Sequence, residues 1–316
     1  MRRTALSTSR DSPVIYICRS PAYGGIRRSF RRQSLLPAVE DSRCDGDGVL
    51  MATRKNLTAN RESLVHKVRY AASRPHRIAP YLKRAARDRW LAFKHPDHVS
   101  YYRAVMASDT RRNPEAAVGS QTHERWLALG QMQFDYLLGH GLKPGARMLD
   151  IGCGNLRAGW RFIDYLDAGH YYGIDISPDI LIAAKRTLTE RGLQAKVPHL
   201  TLTKNLTLDF LPDGYFDVVH AHSVFSHSPI DVIDECFAHV GRVLAPGGHF
   251  DFTFDRTTGT EHQVLREDFY YRTQTLVDLA AGHGLSARFM EDWEELGHGQ
   301  SKIRVSVAGS DVDAEV

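Results

Sequence analysis

Met148-Leu149-Asp150-Ile151-Gly152-Cys153-Gly154-Asn155-Leu156-Arg157-Ala158-Gly159 is the stretch whose reading decides the fold. Met148, Leu149 and Ile151 form an apolar run of the length of a short buried strand. The run carries an acid, meets two glycines spaced one apart, and gives way to a helical pattern. Glycine is required where the backbone turns tightly and a ligand comes close, because a Cβ would fill that space. The helix that follows begins with unpaired N–H groups aimed at the same point. A strand, a glycine turn and a helix in this order predict a nucleotide-like ligand at the junction.

The residues around the turn narrow the ligand. A dinucleotide fingerprint asks for Gly-x-Gly-x-x-Gly, and the third glycine is absent: Leu156 stands near its place and the next glycine is Gly159. Asp150 would repel a pyrophosphate at close range. A carboxylate there suits a ligand with positive charge or hydrogen-bond donors. S-adenosylmethionine has both, in its α-ammonium and its sulfonium.

Asp150-Ile151-Gly152-Cys153-Gly154 resembles the first motif of class I S-adenosylmethionine-dependent methyltransferases. Three later segments agree with that family in order and spacing. Tyr171-Tyr172-Gly173-Ile174-Asp175-Ile176 looks like the second strand, ending in the acid that holds the ribose hydroxyls. Phe216-Asp217-Val218-Val219-His220-Ala221-His222-Ser223 looks like the fourth strand and the loop beyond it. Val243-Leu244-Ala245-Pro246-Gly247-Gly248-His249-Phe250 looks like the turn into the fifth. The resemblance covers roughly residues 120–308, with the missing glycine as one departure. Asn205 is a second, standing where many members carry an acid facing the adenine amino group.

The fold expected is α/β: a doubly wound, mostly parallel, seven-stranded Rossmann-like sheet with an antiparallel last strand and an N-terminal helical extension. Strands are predicted at 147–152, 171–176, 200–204, 216–221, 249–254, 285–291 and 302–308. Helices are predicted at 157–167, 178–191, 229–244 and 267–282, with Pro178 suited to a first turn. The final strand pair has no helix between its members and reads as a hairpin.

The resemblance also implies a site. Asp150 with Gly152, Cys153 and Gly154 would hold the methionine part of the cofactor, and Asp175 the ribose. Ile176 would pack on adenine, Asn205 would meet its amino group or make an ordinary turn, and His222–Ser223 would lie near the sulfonium. A hydroxyl acceptor benefits from a base near neutral pKa, which points to histidine. His222, His227, His262 and His298 fall at the expected edge, and His227 is the first choice because its loop borders the methyl group in the resembled family. The loop Trp293 to Gln300, with Arg256 and Glu261, would line the acceptor pocket: Trp293, His298 and Gln300 suit a sugar or other polyhydroxylated molecule. No histidine pair has metal-ligand spacing, so no metal is expected.

Composition sets the outer bounds. The chain has 316 residues, 42% hydrophobic and 9% aromatic, enough for one domain with a sizeable core plus an extension. No run of about 18 apolar residues exists to span a bilayer. Cys18, Cys44, Cys153 and Cys236 are scattered, which fits a reducing, cytoplasmic compartment rather than a disulfide framework or zinc knuckle. The formal charge of +4 hides an asymmetry: residues 54–94 hold twelve lysines and arginines against two acids, while the part after them is acidic.

Residues 1–53 have no apolar period and read as a disordered tail, or as upstream sequence with Met51 the true start. Their arginine content suggests a transit peptide, but Glu40, Asp41, Asp45 and Asp47 and weak amphipathicity oppose it. Residues 54–119 read as a basic helical extension and linker, 120–309 as the methyltransferase domain and 310–316 as a tail. Within the extension, Leu64, Val65, Val68 and Ala72 share one face and Ile78, Tyr81, Leu82 and Ala85 another. Pro75 and Pro80 divide it into two short helices, and 95–120 reads as an irregular linker. The basic arm reads as a packing element with a solvated charged face, or as a dock for an anionic membrane surface. It lacks the aromatic–basic interleaving of a nucleic-acid module.

These readings converge on a methyltransferase acting on a small-molecule, glycan or lipid-linked acceptor, at oxygen. The alternatives are a nucleic-acid or protein methyltransferase gripping its polymer with the basic arm, and a cofactor-binding protein without catalysis. The Asn/Asp-Pro-Pro-Tyr segment of amino-group methylating enzymes is absent, since the fourth strand runs into Ala221-His222-Ser223-Val224.

Overall fold

The structure is a computed structural model that describes residues 78–309 apart from 295 and 297. All of these fall in one compact unit, Ala71–Val316. The expected N-terminal tail, the first helix of the basic arm and the C-terminal tail lie outside the described residues.

Seven strands form the expected sheet. They are β1 (Met148–Ile151), β2 (Tyr171–Asp175), β3 (His199–Leu202), β4 (Phe216–Ala221), β5 (Leu244–Arg256), β8 (Leu285–Phe289) and β9 (Ser301–Val307), in the order β3-β2-β1-β4-β5-β9-β8. The first five are parallel, whereas β9 runs antiparallel to both β5 and β8. Strand order reverses between β1 and β4, and a ligand crevice forms beyond the carboxyl ends of strands at such a point. β1 is buried along its whole length, as a central strand covered on both faces must be.

Helices cover both faces: α4 (His123–Gly139), α5 (Gly159–Tyr165), α6 (Pro178–Glu190), α7 (Ile230–Val243) and α8 (Thr273–Gly282). Ser177 caps α6, its hydroxyl accepting from the Ile180 N–H, and Pro178 sits in the first turn where no N–H is missed. On one face Ile233, Phe237 and Val240 of α7 bury against Val219, Phe250 and Phe252. On the other, Phe162, Ile163, Tyr171, Leu181 and Trp293 form a second cluster.

Three expectations are corrected. Residues 95–120 are not an irregular linker but α2 (His98–Arg112) and α3 (Pro114–Ala117), preceded by α1 (Ile78–Lys94). Asp97 caps α2 by accepting from the Ser100 N–H at 2.8 Å, and Asn113 caps α3. Only Tyr101, Val105, Met106 and Thr110 of α2 are buried, an apolar stripe too narrow to stand out among its polar residues. Pro80 lies in the first turn of α1, where it is tolerated.

The predicted helix 267–282 is a strand followed by the shorter α8. Strand β6 (His262–Val264) and β7 (Asp268–Tyr271) make an antiparallel ribbon, and β7 extends the far end of β5. Leu265 turns this ribbon at φ 56°, a conformation for which glycine or asparagine would be the usual signal. Finally, the last strand pair is joined through a one-turn helix, α9 (Glu291–Glu294), and not by a plain hairpin loop.

Candidate active site

The glycine bend after β1 has the conformation its composition requires. Gly152 and Gly154 lie at φ 69° and 56°, and a Cβ would come within 2.5 Å of Val224 at the first and 2.9 Å of Val118 at the second. Leu156 takes φ 64° itself, with its side chain fully buried. The bend therefore continues in the left-handed region for one residue more, with a leucine in it. Cys153 is buried, its thiol pushed up by burial and neighbouring acids, which makes it a packing residue of the bend.

Two carboxylates face this bend. Asp150 accepts from the Tyr171 hydroxyl at 2.6 Å, and burial raises its pKa to about 7. Asp175 ends β2 and accepts from the Gly154 N–H at 3.0 Å and the Ser177 N–H at 2.9 Å. Burial lifts its pKa to about 6 despite those bonds. A carboxylate offers about four acceptor directions, so Asp175 keeps acceptor capacity beyond these backbone bonds. A crevice with two desolvated acids beside a bend that excludes side chains fits the cation, diol and close backbone approach of S-adenosylmethionine.

The other expected cofactor contacts divide. Ile176 follows Asp175 directly, and its carbonyl accepts from Arg103 Nε at 2.7 Å. Asn205 is exposed and occupied locally: its carbonyl accepts from the Thr203 hydroxyl and its side-chain oxygen from Thr207. That is the ordinary-turn geometry weighed against an adenine contact.

Beyond β4, Ser223 stands at φ 58°, its N–H donating to the Thr253 hydroxyl at 2.8 Å and its own hydroxyl to Gln300 Oε1 at 2.9 Å. His222 and His298 meet through their Nε2 atoms at 3.0 Å, so one imidazole donates to the other. Burial holds both below the usual histidine range, His298 at about 3, and both Nδ1 atoms are buried without a partner. Among the described residues no group of three or more His, Cys, Asp or Glu is placed to hold a metal ion.

His227 sits in the same loop. Its Nδ1 lies 2.7 Å from the Glu267 carbonyl and 3.4 Å from Asp268 Oδ1, and its ring stacks on Tyr102 at 5.6 Å. Burial opposes its charged form, yet the bonds to Asp268 and the Glu267 carbonyl prevail and raise its pKa. Asp255, at the end of β5, faces His227 and Gln300, and burial lifts its pKa to about 6.

Trp293 is corrected. Its ring is fully buried, donates to the Gln300 carbonyl at 2.9 Å, and lies under the Lys302 ammonium at 4.2 Å. It supports the loop carrying His298 and Gln300 and offers no face to an acceptor. Arg256 lies over Phe289, Glu261 accepts from the Arg272 N–H, and His262 stacks on Tyr270 in the exposed β6.

Residues of α2 and α3 complete the crevice, and the reading of 95–120 as a linker concealed them. Tyr102 stacks on the His227 ring and packs on the Met106, Ile180 and Ala183 cluster, so it links the His227 loop to α6. Val118 closes over Gly154 and accepts from Arg157 Nη1 at 2.5 Å. Asn155 donates to the Pro114 carbonyl and accepts from the indole N–H of the buried Trp126. The Asp97 and Asn113 caps were the signals in the sequence. Further out, Arg84 and Arg87 of α1 grip the Glu267 carboxylate, each at 2.8 Å, and Arg84 also holds Asp268.

A 3-2-1-4-5 parallel half-sheet closed by an antiparallel strand, with a glycine bend after β1 and an acid after β2, defines the class I methyltransferase fold. Residues 149–250 match the methyltransferase domain family, and the chain carries a methyltransferase domain there. The probable methyltransferase ltbC of Aspergillus luteorubrus is 32% identical over 146 residues, 45% of this chain and 48% of that protein. The sterol 24-C-methyltransferase ERG6B of Gibberella zeae is 27% identical over 183 residues, 54% of this chain and 42% of its own. The chain spans about half the length of the curated relatives it matches. Among solved structures, the SAH-bound magnesium protoporphyrin IX methyltransferase of Synechocystis PCC 6803 superposes with a TM-score of 0.50 at 15% identity. That match covers 66% of this chain and 99% of the other.

Proposed function

We propose that this protein methylates an oxygen of a small-molecule, glycan or lipid-linked acceptor, with His227 removing the hydroxyl proton. The observation that carries the reading is the 2.7 Å contact between His227 Nδ1 and the Glu267 carbonyl. A carbonyl only accepts, so Nδ1 carries the proton and Nε2 keeps the lone pair of a base. Asp268 steadies the imidazolium formed when Nε2 takes the acceptor proton. S-adenosylmethionine, when bound, would supply an electrophilic methyl group for transfer to the acceptor oxygen, with S-adenosylhomocysteine as the leaving product. Asp150, Gly152 and Gly154 orient the amino-acid end of the cofactor, and Asp175 orients the ribose. Ser223, His222, His298 and Gln300, linked through the bonds described above, form the wall on the acceptor side.

The test is to incubate the protein with labelled cofactor and fractions of metabolites, lipids and RNA, identify the methylated product, and repeat with His227→Ala. Label on an oxygen, falling on the order of a hundredfold or more in the variant, supports the reading. Label on carbon or nitrogen, or an unimpaired variant, overturns it.

A further inference from the structure

We propose that the outward face of α1 docks on an anionic lipid surface. Leu82, Trp90 and Phe93 are 60%, 56% and 90% exposed, an unusual set of large apolar side chains for one short helix. At 3.6 residues per turn Leu82, Ala86, Trp90 and Phe93 fall within an arc of about 80°. The exposed Arg89 bounds that arc on one side and Lys83 and Lys94 bound it on the other. The Lys94 ammonium lies over the Trp90 ring at 4.1 Å, which puts a cation and an amphipathic aromatic at one depth.

The opposite face of α1 is already committed. Leu91 packs on Tyr101 and Val105, Arg84 and Arg87 hold Glu267, and the helix's only acid, Asp88, meets the Tyr101 hydroxyl and the Arg266 N–H. The outer face therefore presents apolar and basic groups with no carboxylate among them.

Charge selects the occupant. A second copy seated face to face would set Lys83, Arg89 and Lys94 against their own counterparts. Residues 1–77 carry sixteen lysines and arginines against six acids and would meet the same repulsion. An anionic bilayer accepts both features, with the apolar arc entering the headgroup boundary and the cations remaining among the phosphates. The docking requires nothing of the acceptor's identity.

Flotation of the full chain with phosphatidylcholine vesicles, with and without phosphatidylglycerol, tests this. The chain is expected to float only with phosphatidylglycerol present and to be released as salt is raised. Trp90→Ala with Phe93→Ser should lower partitioning on the order of tenfold or more while circular dichroism and Tm stay unchanged. Lys83→Glu, Arg89→Glu and Lys94→Glu together should abolish the preference for the anionic lipid. Failure of the unaltered chain to bind, undiminished binding of the double variant, or salt-independent binding would each overturn the proposal. So would a dimer in light scattering that Phe93→Ser converts to monomer, since a second copy would then be the occupant.

Discussion

The Gly154 N–H donates to Asp175 Oδ2 at 3.0 Å, tying the bend after β1 to the acid that ends β2. The same carboxylate that would hold the ribose thus also holds the loop that cradles the rest of the cofactor. Asp175→Asn should weaken S-adenosylmethionine binding by roughly ten- to a hundredfold, the loss of charge-assisted hydrogen bonds. Calorimetric titration would measure it, and unchanged affinity would refute the ribose assignment.

Asp150 sets a pH dependence. Its folded pKa of about 7 lies above the ordinary aspartate value, so folding takes up a proton as pH climbs toward 7. Stability contributed by the protonated form is present at low pH and is lost as pH rises through that window, by up to about 4 kcal/mol. Asp150→Asn should therefore gain Tm relative to the unaltered chain at pH 8 and much less at pH 5. Cofactor binding should follow the opposite course, weakening as pH falls below about 7 because a cation is best met by the ionised acid.

His227 predicts the acidic limb of the rate profile. A base must be neutral to act, and its pKa is raised by Asp268 and the Glu267 carbonyl against the effect of burial. Turnover should fall as pH drops through a value above that of an ordinary histidine. Asp268→Asn should move this limb to lower pH, a displacement that a loss of packing alone would not produce.

Trp293 serves as a control for the acceptor site. With its ring buried against Lys302 and Tyr136, Trp293→Ala should cost about 3–5 kcal/mol of stability. Selective loss of acceptor binding with unchanged Tm would reinstate the ring as a stacking surface.

Leu156 separates strain from packing. Leu156→Gly relieves a left-handed conformation worth about 1–2 kcal/mol but deletes a fully buried side chain worth about 3 or more. Chemical denaturation should therefore find the variant less stable by about one or two kcal/mol, although glycine is the residue that this φ favours.

The central strands of the frame were legible because buried parallel strands are largely apolar, and Ser177-Pro178 announces a helix start. The glycine bend at Gly152 and Gly154 and the acids Asp150 and Asp175 beside it were legible as a place in the fold, because each answers a local demand of the backbone or of the expected ligand. What escaped depended on contacts distant in sequence. Tyr102 and Val118 belong to helices whose few buried residues gain meaning only against the crevice. The β6–β7 ribbon turns on Leu265, a residue without a turn's chemistry. Trp293 looked like a ligand platform because nothing near it in sequence foretold Lys302 above its face.

The grip of Arg84 and Arg87 on Glu267 has a practical consequence. Glu267 and Asp268 are the residues that orient His227, and their counter-charges come from a helix well upstream of the segment shared with other methyltransferases. A version trimmed to begin after α1, just before Asp97, would keep α2, α3 and the crevice they complete yet leave two acids uncompensated beside His227. Such a truncated protein should bind its nucleoside and turn over poorly.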